Sequence, residues 1–164
     1  DRAGVTLGRC PDDRTLLPGV RWCAAKDGDP RGLALYRRHY SAKLRPVARE
    51  ETRRKYTGPG EYLLLLTPQA DALFLWRLER FRQDGQVGIN CAIFRNESAW
   101  RSSDLIREAC DLAWVRWPGA RLWTYVNARK LPPGKRPGYC FEKAGWVRCG
   151  QSKGGLLLFE RSAA

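Results

Sequence analysis

Two short stretches of this sequence combine residue types that could do chemistry. The first is His39 followed by Tyr40, where His39 is the only histidine among 164 residues. An imidazole titrates near neutral pH, so His39 suits a general base or a metal ligand. The alternative is a surface or capping histidine, because a helix C-terminus favours the imidazolium cation. We predict no metal site. In the less favoured alternative, His39 and Tyr40 bind a metal ion.

The second stretch is the polar turn, residues 96–103, between a predicted buried strand and a predicted helix. Free N–H groups and the positive end of a helix dipole point out of such a junction, where α/β proteins bind anions and other ligands. We therefore predict that the turn binds a phosphate of a cofactor or substrate. The predicted contacts are Asn96, Ser98, Arg101, Ser102 and Ser103. The alternative is simple capping of the helix by Ser102 or Ser103.

The elements that must position these residues follow from hydrophobic periodicity and turn signals. The predicted strands are 21–25, 61–67, 72–81, 87–95, 121–126, 147–150 and 156–160. The predicted helices are 30–44, with Asp29 as N-cap, the segment after the polar turn as far as Trp117, and 138–146. Residues 1–20 are predicted to form an irregular N-terminal arm, and 21–164 a single domain. A hairpin followed by a strand–helix–strand crossover predicts an α/β (α+β) fold.

The charge of the chain favours a polyanionic partner. The net charge is +13, from 30 basic and 17 acidic residues, which favours nucleic acid first and a nucleotide-like cofactor second. The candidate nucleic-acid contacts are Arg45, Arg49, Arg53, Arg54, Lys55, Arg129, Lys130, Lys135 and Arg136. The alternative is that these residues form a solvated face. No apolar run predicts a membrane span, and the absence of an export signal favours a reducing cytoplasm.

The order of the predicted elements is similar to the GNAT fold of N-acyltransferases over residues 20–160. Residues 139–146 resemble the family's aromatic–Lys–x–Gly–aromatic helix end, and the strand ending at Asn127 resembles its fifth strand. The resemblance implies a mixed central sheet with helices on both faces, and an acyl-CoA or related acyl donor at the polar turn. The family's turn carries glycines, which let a backbone approach a pyrophosphate. Here Glu97, Trp100 and Ser102 occupy the three signature positions.

Two further matches are similar to phage Mom-like proteins, a GNAT-like group that modifies adenine in phage DNA against restriction. Arg95–Ser98 with Arg101–Ser102 resembles their turn, and Arg38–Ser41 resembles their His-Tyr segment. This resemblance implies a DNA partner and a transferase that modifies a nucleobase amine. The acyl donor stays unidentified, and a metal ion is the other cofactor candidate.

The resemblance also implies roles for individual residues. The implied catalytic residues are His39, Tyr40, Glu97, Tyr125 and Tyr139, and Asn127 joins the cofactor contacts. His39 or Glu97 would accept the proton, Tyr40 and Ser102 would orient the reacting groups, and Tyr139 would act as general acid. Two alternatives are a CoA-dependent N-acetyltransferase for a small amine or protein, and a non-catalytic module that binds nucleic acid.

Overall fold

A computed structural model describes residues 8–9, 15–16, 21–39 and 54–163 of the chain. The strands are β1 (Gly8–Arg9), β2 (Thr15–Leu16), β3 (Cys23–Ala25), β4 (Glu61–Leu66), β5 (Ala72–Leu78), β6 (Ile89–Asn96), β7 (Leu122–Val126), β8 (Val147–Gln151) and β9 (Leu157–Arg161). The helices are α1 (Pro30–Arg38), α2 (Ser102–Arg116) and α3 (Tyr139–Lys143), with a 3₁₀ helix at Ala128–Lys130.

The strands form one mixed sheet in the order β1-β2-β3-β4-β5-β6-β7-β9-β8. Only β6 and β7 pair in parallel, while every other neighbouring pair is antiparallel. The predicted mixed α/β architecture is therefore confirmed, and each predicted strand has its counterpart between β3 and β9. The short strands β1 and β2 lie within the stretch predicted as an irregular arm. In the part of the chain that is described, no helix has the length and apolarity needed to cross a membrane.

The helices pack on both faces of the sheet, because successive side chains of a strand point to opposite faces. On β5, Leu73 and Leu75 belong to one core cluster with Tyr36 of α1. Phe74 and Trp76 belong to the other cluster, which contains the buried sides of α2 and α3. The central strands are thus covered on both sides.

Helix α1 begins as the sequence predicts and ends earlier. Asp29 caps it by accepting a hydrogen bond from the Arg31 N–H at 2.9 Å, and Pro30 is its first residue. His39 has extended backbone angles, φ −74° and ψ 142°, so the helix ends at Arg38. The prediction of a helix that continues to residue 44 is wrong at this point. Tyr40 itself lies outside the described residues.

The sheet opens between β6 and β7. These strands pair only at Ile89–Leu122 and Asn90–Trp123, after which they separate toward their carboxyl ends. Where the ladder stops, the Thr124 hydroxyl donates to the Cys91 carbonyl at 2.8 Å. A split between parallel strands leaves a crevice at their carboxyl ends, the usual ligand position in open α/β sheets.

A bulge in β6 decides which side chains face this crevice. The register with β5 shifts so that Ile93 is opposite Leu75 and Cys91 is opposite Trp76, which makes Ala92 the extra residue. Ala92 and Ile93 consequently both pack on the α1 side. Since one inserted residue reverses the alternation that follows, Asn96 points toward α2 instead of α1.

Candidate functional site

A cavity of about 600 Å³ lies where β6 and β7 separate. This volume is within the range of small-molecule sites, roughly 300–1,000 Å³. Nine of the sequence-predicted site residues line it, namely His39, Asn96, Ser102, Tyr125, Asn127, Lys130, Lys135, Arg136 and Tyr139. The fold therefore brings together residues from the ends of α1, β6 and β7, the start of α2, the loop after β7 and helix α3.

His39 enters the cavity wall as a buried, neutral imidazole. It is 7% exposed, although it directly follows α1. Burial, and secondarily the Arg95 guanidinium, lower the pKa of His39 to about 4. His39 is the C-cap residue of α1, as the alternative expected, but its burial contradicts the surface position. At neutral pH one ring nitrogen of such an imidazole is an acceptor, as a general base or orienting group requires.

The polar turn uses most of its polar side chains to hold its own shape. The Asn96 amide donates to the Trp100 carbonyl at 2.8 Å and to Ser102 Oγ at 3.0 Å. The Asn96 carbonyl oxygen accepts from the N–H and the hydroxyl of Ser98 at 2.9 and 2.5 Å. Asn96 and Ser98 therefore organise the turn, and only Asn96 also borders the cavity.

The start of α2 differs from the predicted cap. The N-cap residue is Arg101, and no side chain caps the helix, so capping by Ser102 or Ser103 is wrong. Ser102 is the first helical residue and faces the cavity, whereas Ser103 is buried and Arg101 is exposed away from it. The first N–H groups of a helix have no intrahelical partner. The uncapped positive end of α2 therefore lies beside the cavity at Ser102.

Glu97 forms a clamp between the end of α1 and the end of β6. Its carboxylate accepts from Arg38 Nε and Nη2 at 2.8 and 2.9 Å, and from Arg95 Nε. Arg95 also donates from Nη1 to the Arg38 carbonyl at 2.9 Å. These hydrogen bonds lower the pKa of Glu97 to about 2. The two arginines thus hold Glu97 at the junction of α1 and β6, and Glu97 is not among the residues that line the cavity.

The two described candidate tyrosines both line the cavity. The Tyr125 hydroxyl donates to Asp84 at 3.2 Å, and burial together with the Asp84 carboxylate raises the pKa of Tyr125. Tyr139 is 53% exposed at the rim, with Lys143 Nζ 5.5 Å from its ring centroid. Tyr125 is thus fixed by its neighbour, while the Tyr139 ring is accessible to a ligand.

The basic loop, residues 127–136, forms one side of the opening. Asn127 accepts from the Arg129 N–H at 3.1 Å and so caps the 3₁₀ helix at the start of the loop. Arg136 pairs with Glu142 at 2.8 Å, and Arg129 is exposed outside the cavity wall. Lys130 and Lys135 form no ion pair with any described carboxylate, so the loop holds uncompensated positive charge.

The second predicted basic segment does not join this surface where it is described. Arg54 and Lys55 are exposed and precede Tyr56, whose N–H donates to Asp27 Oδ1 at 2.8 Å near the start of α1. The basic loop lies at the other end of α1, beside His39. Arg54 and Lys55 therefore lie apart from the cavity wall. Arg45, Arg49 and Arg53 fall outside the described residues.

Several lining residues were not predicted from the sequence. They are Cys91, Ala92, Phe94, Thr124, Val126, Leu131, Pro132, Gly138, Cys140 and Phe141. Most of them belong to apolar strands or helices, so the sequence pattern predicts that they lie in the core. They line a cavity because β6 and β7 separate. Phe94 and Phe141 give the cavity an aromatic wall, with ring centroids 6.2 Å apart.

The cavity can hold the extended arm of an acyl donor, because it has room for such an arm where the β6–β7 ladder ends. The polar turn, however, lacks the glycines that let a backbone approach a pyrophosphate. At the signature positions, Trp100 packs against the core and Glu97 is held by two arginines. No cluster of three metal-ligand side chains occurs in the described ranges. Comparisons with protein-family models, curated proteins and solved structures found no match.

Proposed function

We propose that this chain is a GNAT-like transferase that modifies an exocyclic amine of a nucleobase in DNA. The observation that carries the proposal is the cavity itself, which is lined by a neutral buried imidazole and by two lysines that pair with no described carboxylate. The order of strands and helices, with one split parallel pair, agrees with the resemblance given by the sequence. The resemblance to Mom-like proteins at His39 and at the polar turn implies that the substrate is a nucleobase in DNA.

The basic loop supports the choice of DNA over a neutral small amine. Lys130 and Lys135 line the cavity and pair with no carboxylate among the described residues, and phosphate oxygens would supply negative partners. A base inside a duplex is out of reach of a buried side chain, so the target must leave the stack. Phe94 and Phe141 then offer aromatic surface to the extruded base.

The residues around the cavity can carry the transfer as follows. An acyl donor would supply the transferred group. As the amine nitrogen bonds to the acyl carbon, the bond between that carbon and the leaving atom breaks. His39 accepts the amine proton, and the Tyr139 hydroxyl donates a proton to the leaving atom. The positive end of α2 at Ser102 stabilises negative charge that develops on the acyl oxygen.

The pKa of His39, about 4 in the free protein because of burial and of Arg95, keeps this imidazole neutral at pH 7. A neutral imidazole has one ring nitrogen that can accept the amine proton.

Mass spectrometry of nucleosides tests the proposal. DNA from cells expressing the protein should contain a nucleoside of increased mass that is absent from cells with an empty vector. An unmodified nucleoside profile together with turnover of acetyl-CoA on a small amine would indicate the N-acetyltransferase alternative. An unmodified profile with DNA binding alone would indicate the non-catalytic module.

A further inference from the structure

A second cavity, of about 630 Å³, lies at the opposite end of α2 from the first. Ser102, where α2 begins, lines the first cavity, whereas Trp114 and Pro118 at the end of this helix line the second. Since α2 has 15 residues, its two ends are roughly 20 Å apart. No described residue lines both cavities, so the second is separate from the site of the proposed transfer.

Arg161, at the end of β9, brings a positive charge into the wall of the second cavity. This residue is half-buried, and its Nη1 atom is buried without a hydrogen-bond partner. The Glu160 carboxylate in the same wall accepts instead from Arg121 Nε at 2.5 Å. Arg161 forms no ion pair with any carboxylate in the described ranges. Because a partly buried charge without a partner is costly, this guanidinium would be stabilised by an anion.

The neighbours of the guanidinium do not neutralise it. Cys110 interacts with Arg161, but burial raises the pKa of this thiol, which is therefore uncharged at pH 7. The guanidinium carbon lies 5.1 Å from the centroid of the Trp114 ring, whose face attracts the cation but carries no net charge. Arg116 in the last turn of α2 offsets the partial negative charge of the helix end. The charge of Arg161 therefore remains available to a ligand.

Gly145 lies beside the edge of the guanidinium that a ligand can reach. A Cβ atom built on Gly145 would lie 3.5 Å from Arg161 Nε and 3.9 Å from Nη2. Gly145 also lines the cavity, and it has no side chain that would cover this edge. The N–H groups on this edge form the planar fork that binds a carboxylate through two parallel hydrogen bonds. Trp114, Pro118 and Val147 add apolar wall.

We propose that the second cavity binds a small organic carboxylate whose apolar part packs against Trp114, Pro118 and Val147. The carboxylate accepts hydrogen bonds from Arg161 Nε and Nη2 and supplies the negative charge that the described residues do not. The apolar wall favours an organic acid over an inorganic anion, because burial of the hydrocarbon part adds hydrophobic stabilisation. This inference does not depend on the proposed transferase activity.

The test uses sodium benzoate as the probe and benzyl alcohol, which has the same ring without the charge, as its control. The indole N–H of Trp114, which donates to the Ala120 carbonyl at 2.8 Å, reports binding by NMR and is identified by its absence in Trp114→Phe. Benzoate should shift this signal saturably with a Kd of about 1–10 mM, as expected for a ligand of this size. Benzyl alcohol should bind at least about 10-fold more weakly. Equal affinities, or no saturable shift with benzoate, would overturn the proposal.

Variants of two arginines test the contact itself. Arg161→Gln should weaken benzoate binding roughly 10-fold and leave benzyl alcohol binding unchanged. Arg116→Gln is the matched control and should bind benzoate like the wild type, since Arg116 also lies over an indole, 5.0 Å from the Trp117 centroid, but does not line this cavity. An equal loss in both variants would indicate a general effect of net charge and overturn the proposal.

If Arg161→Gln does not fold, the comparison of benzoate with benzyl alcohol on the wild-type protein decides the question. DNA modification enters none of these measurements. A protein that binds benzoate in this way but modifies no DNA would contradict the proposed function alone, and a protein that modifies DNA but does not bind benzoate would contradict this inference alone.

Discussion

The polar turn and the basic loop follow neighbouring parallel strands at the same edge of the sheet, yet they use their polar residues in opposite ways. In the turn, Asn96 and Ser98 hydrogen-bond one another and their own backbone, and Glu97 is held by two arginines. In the loop, Lys130 and Lys135 meet no described carboxylate. The side chains of the polar turn therefore stabilise the turn itself and hold the end of α1. The lysines of the basic loop are instead available to contact a ligand.

Removal of the Asn96 side chain should have the largest effect. It makes four hydrogen bonds within the turn. With about 1 kcal/mol for each bond and partial relaxation, Asn96→Ala should lower the free energy of unfolding by roughly 2–4 kcal/mol. Urea denaturation measures this loss.

Asn127→Ala is the matched control from the basic loop, since Asn127 caps its short helix through one hydrogen bond. Loss of a single cap should cost about 1 kcal/mol. If both variants lose the same stability, the contrast between a self-organised turn and an open loop is incorrect.

The buried imidazole should make stability depend on pH. The pKa of His39 is about 4 in the folded protein against an ordinary value of 6.5, so between these values only the unfolded chain binds this proton. Stability should therefore fall as pH decreases from 6.5 to 4, by up to about 3 kcal/mol from this residue. Denaturation of wild type and His39→Gln across this range measures the contribution.

His39→Gln should show a shallower loss of stability over the same pH interval, because glutamine does not titrate. Parallel pH profiles for the two proteins would show that His39 is protonated equally in both states. Such a result would also contradict a neutral His39 imidazole in the folded protein.

The lysines of the basic loop should have the smallest effect, and it should appear in binding alone. Lys130→Ala and Lys135→Ala should each reduce the slope of log affinity for DNA against log salt by about 1. Stability should be unchanged within about 0.5 kcal/mol, since both side chains are exposed. Titrations at several salt concentrations measure the slope.

Arg54→Ala and Lys55→Ala are the controls, because these exposed cations lie at the other end of α1. Their salt slopes should match the wild type. A larger loss at Arg54 or Lys55 than at Lys130 or Lys135 would place the DNA surface away from the cavity.

Local signals in the sequence were enough to predict β3 to β9 and the three α-helices, but not β1, β2 or the end of α1. Asp29-Pro30 predicted the start of α1 through a cap and a favoured first residue, and apolar runs predicted β4, β5 and β6. The sequence also located candidate residues at the carboxyl ends of β6 and β7. These predictions succeed because capping, turn formation and strand periodicity depend on residues close together in the chain.

The sequence could not predict which of those side chains face the cavity and which bind one another. The bulge at Ala92 and the split after Asn90 depend on pairing with β5 and β7, which are distant in sequence. The pairing of Glu97 with Arg38 could not be predicted because the two residues are 59 positions apart in the sequence. His39 looked like a helix residue because nothing local indicated that α1 ends at Arg38. Long-range contacts of this kind are absent from any local pattern.

The most direct test compares the nucleosides of DNA treated with wild-type protein and with His39→Gln, at equal DNA occupancy confirmed by anisotropy. We expect a modified nucleoside with the wild type and a yield at least about 100-fold lower with His39→Gln, the usual loss when a general base is removed. Equal yields from the two proteins would contradict the role of the cavity. No modified nucleoside with the wild type would contradict the proposed function itself.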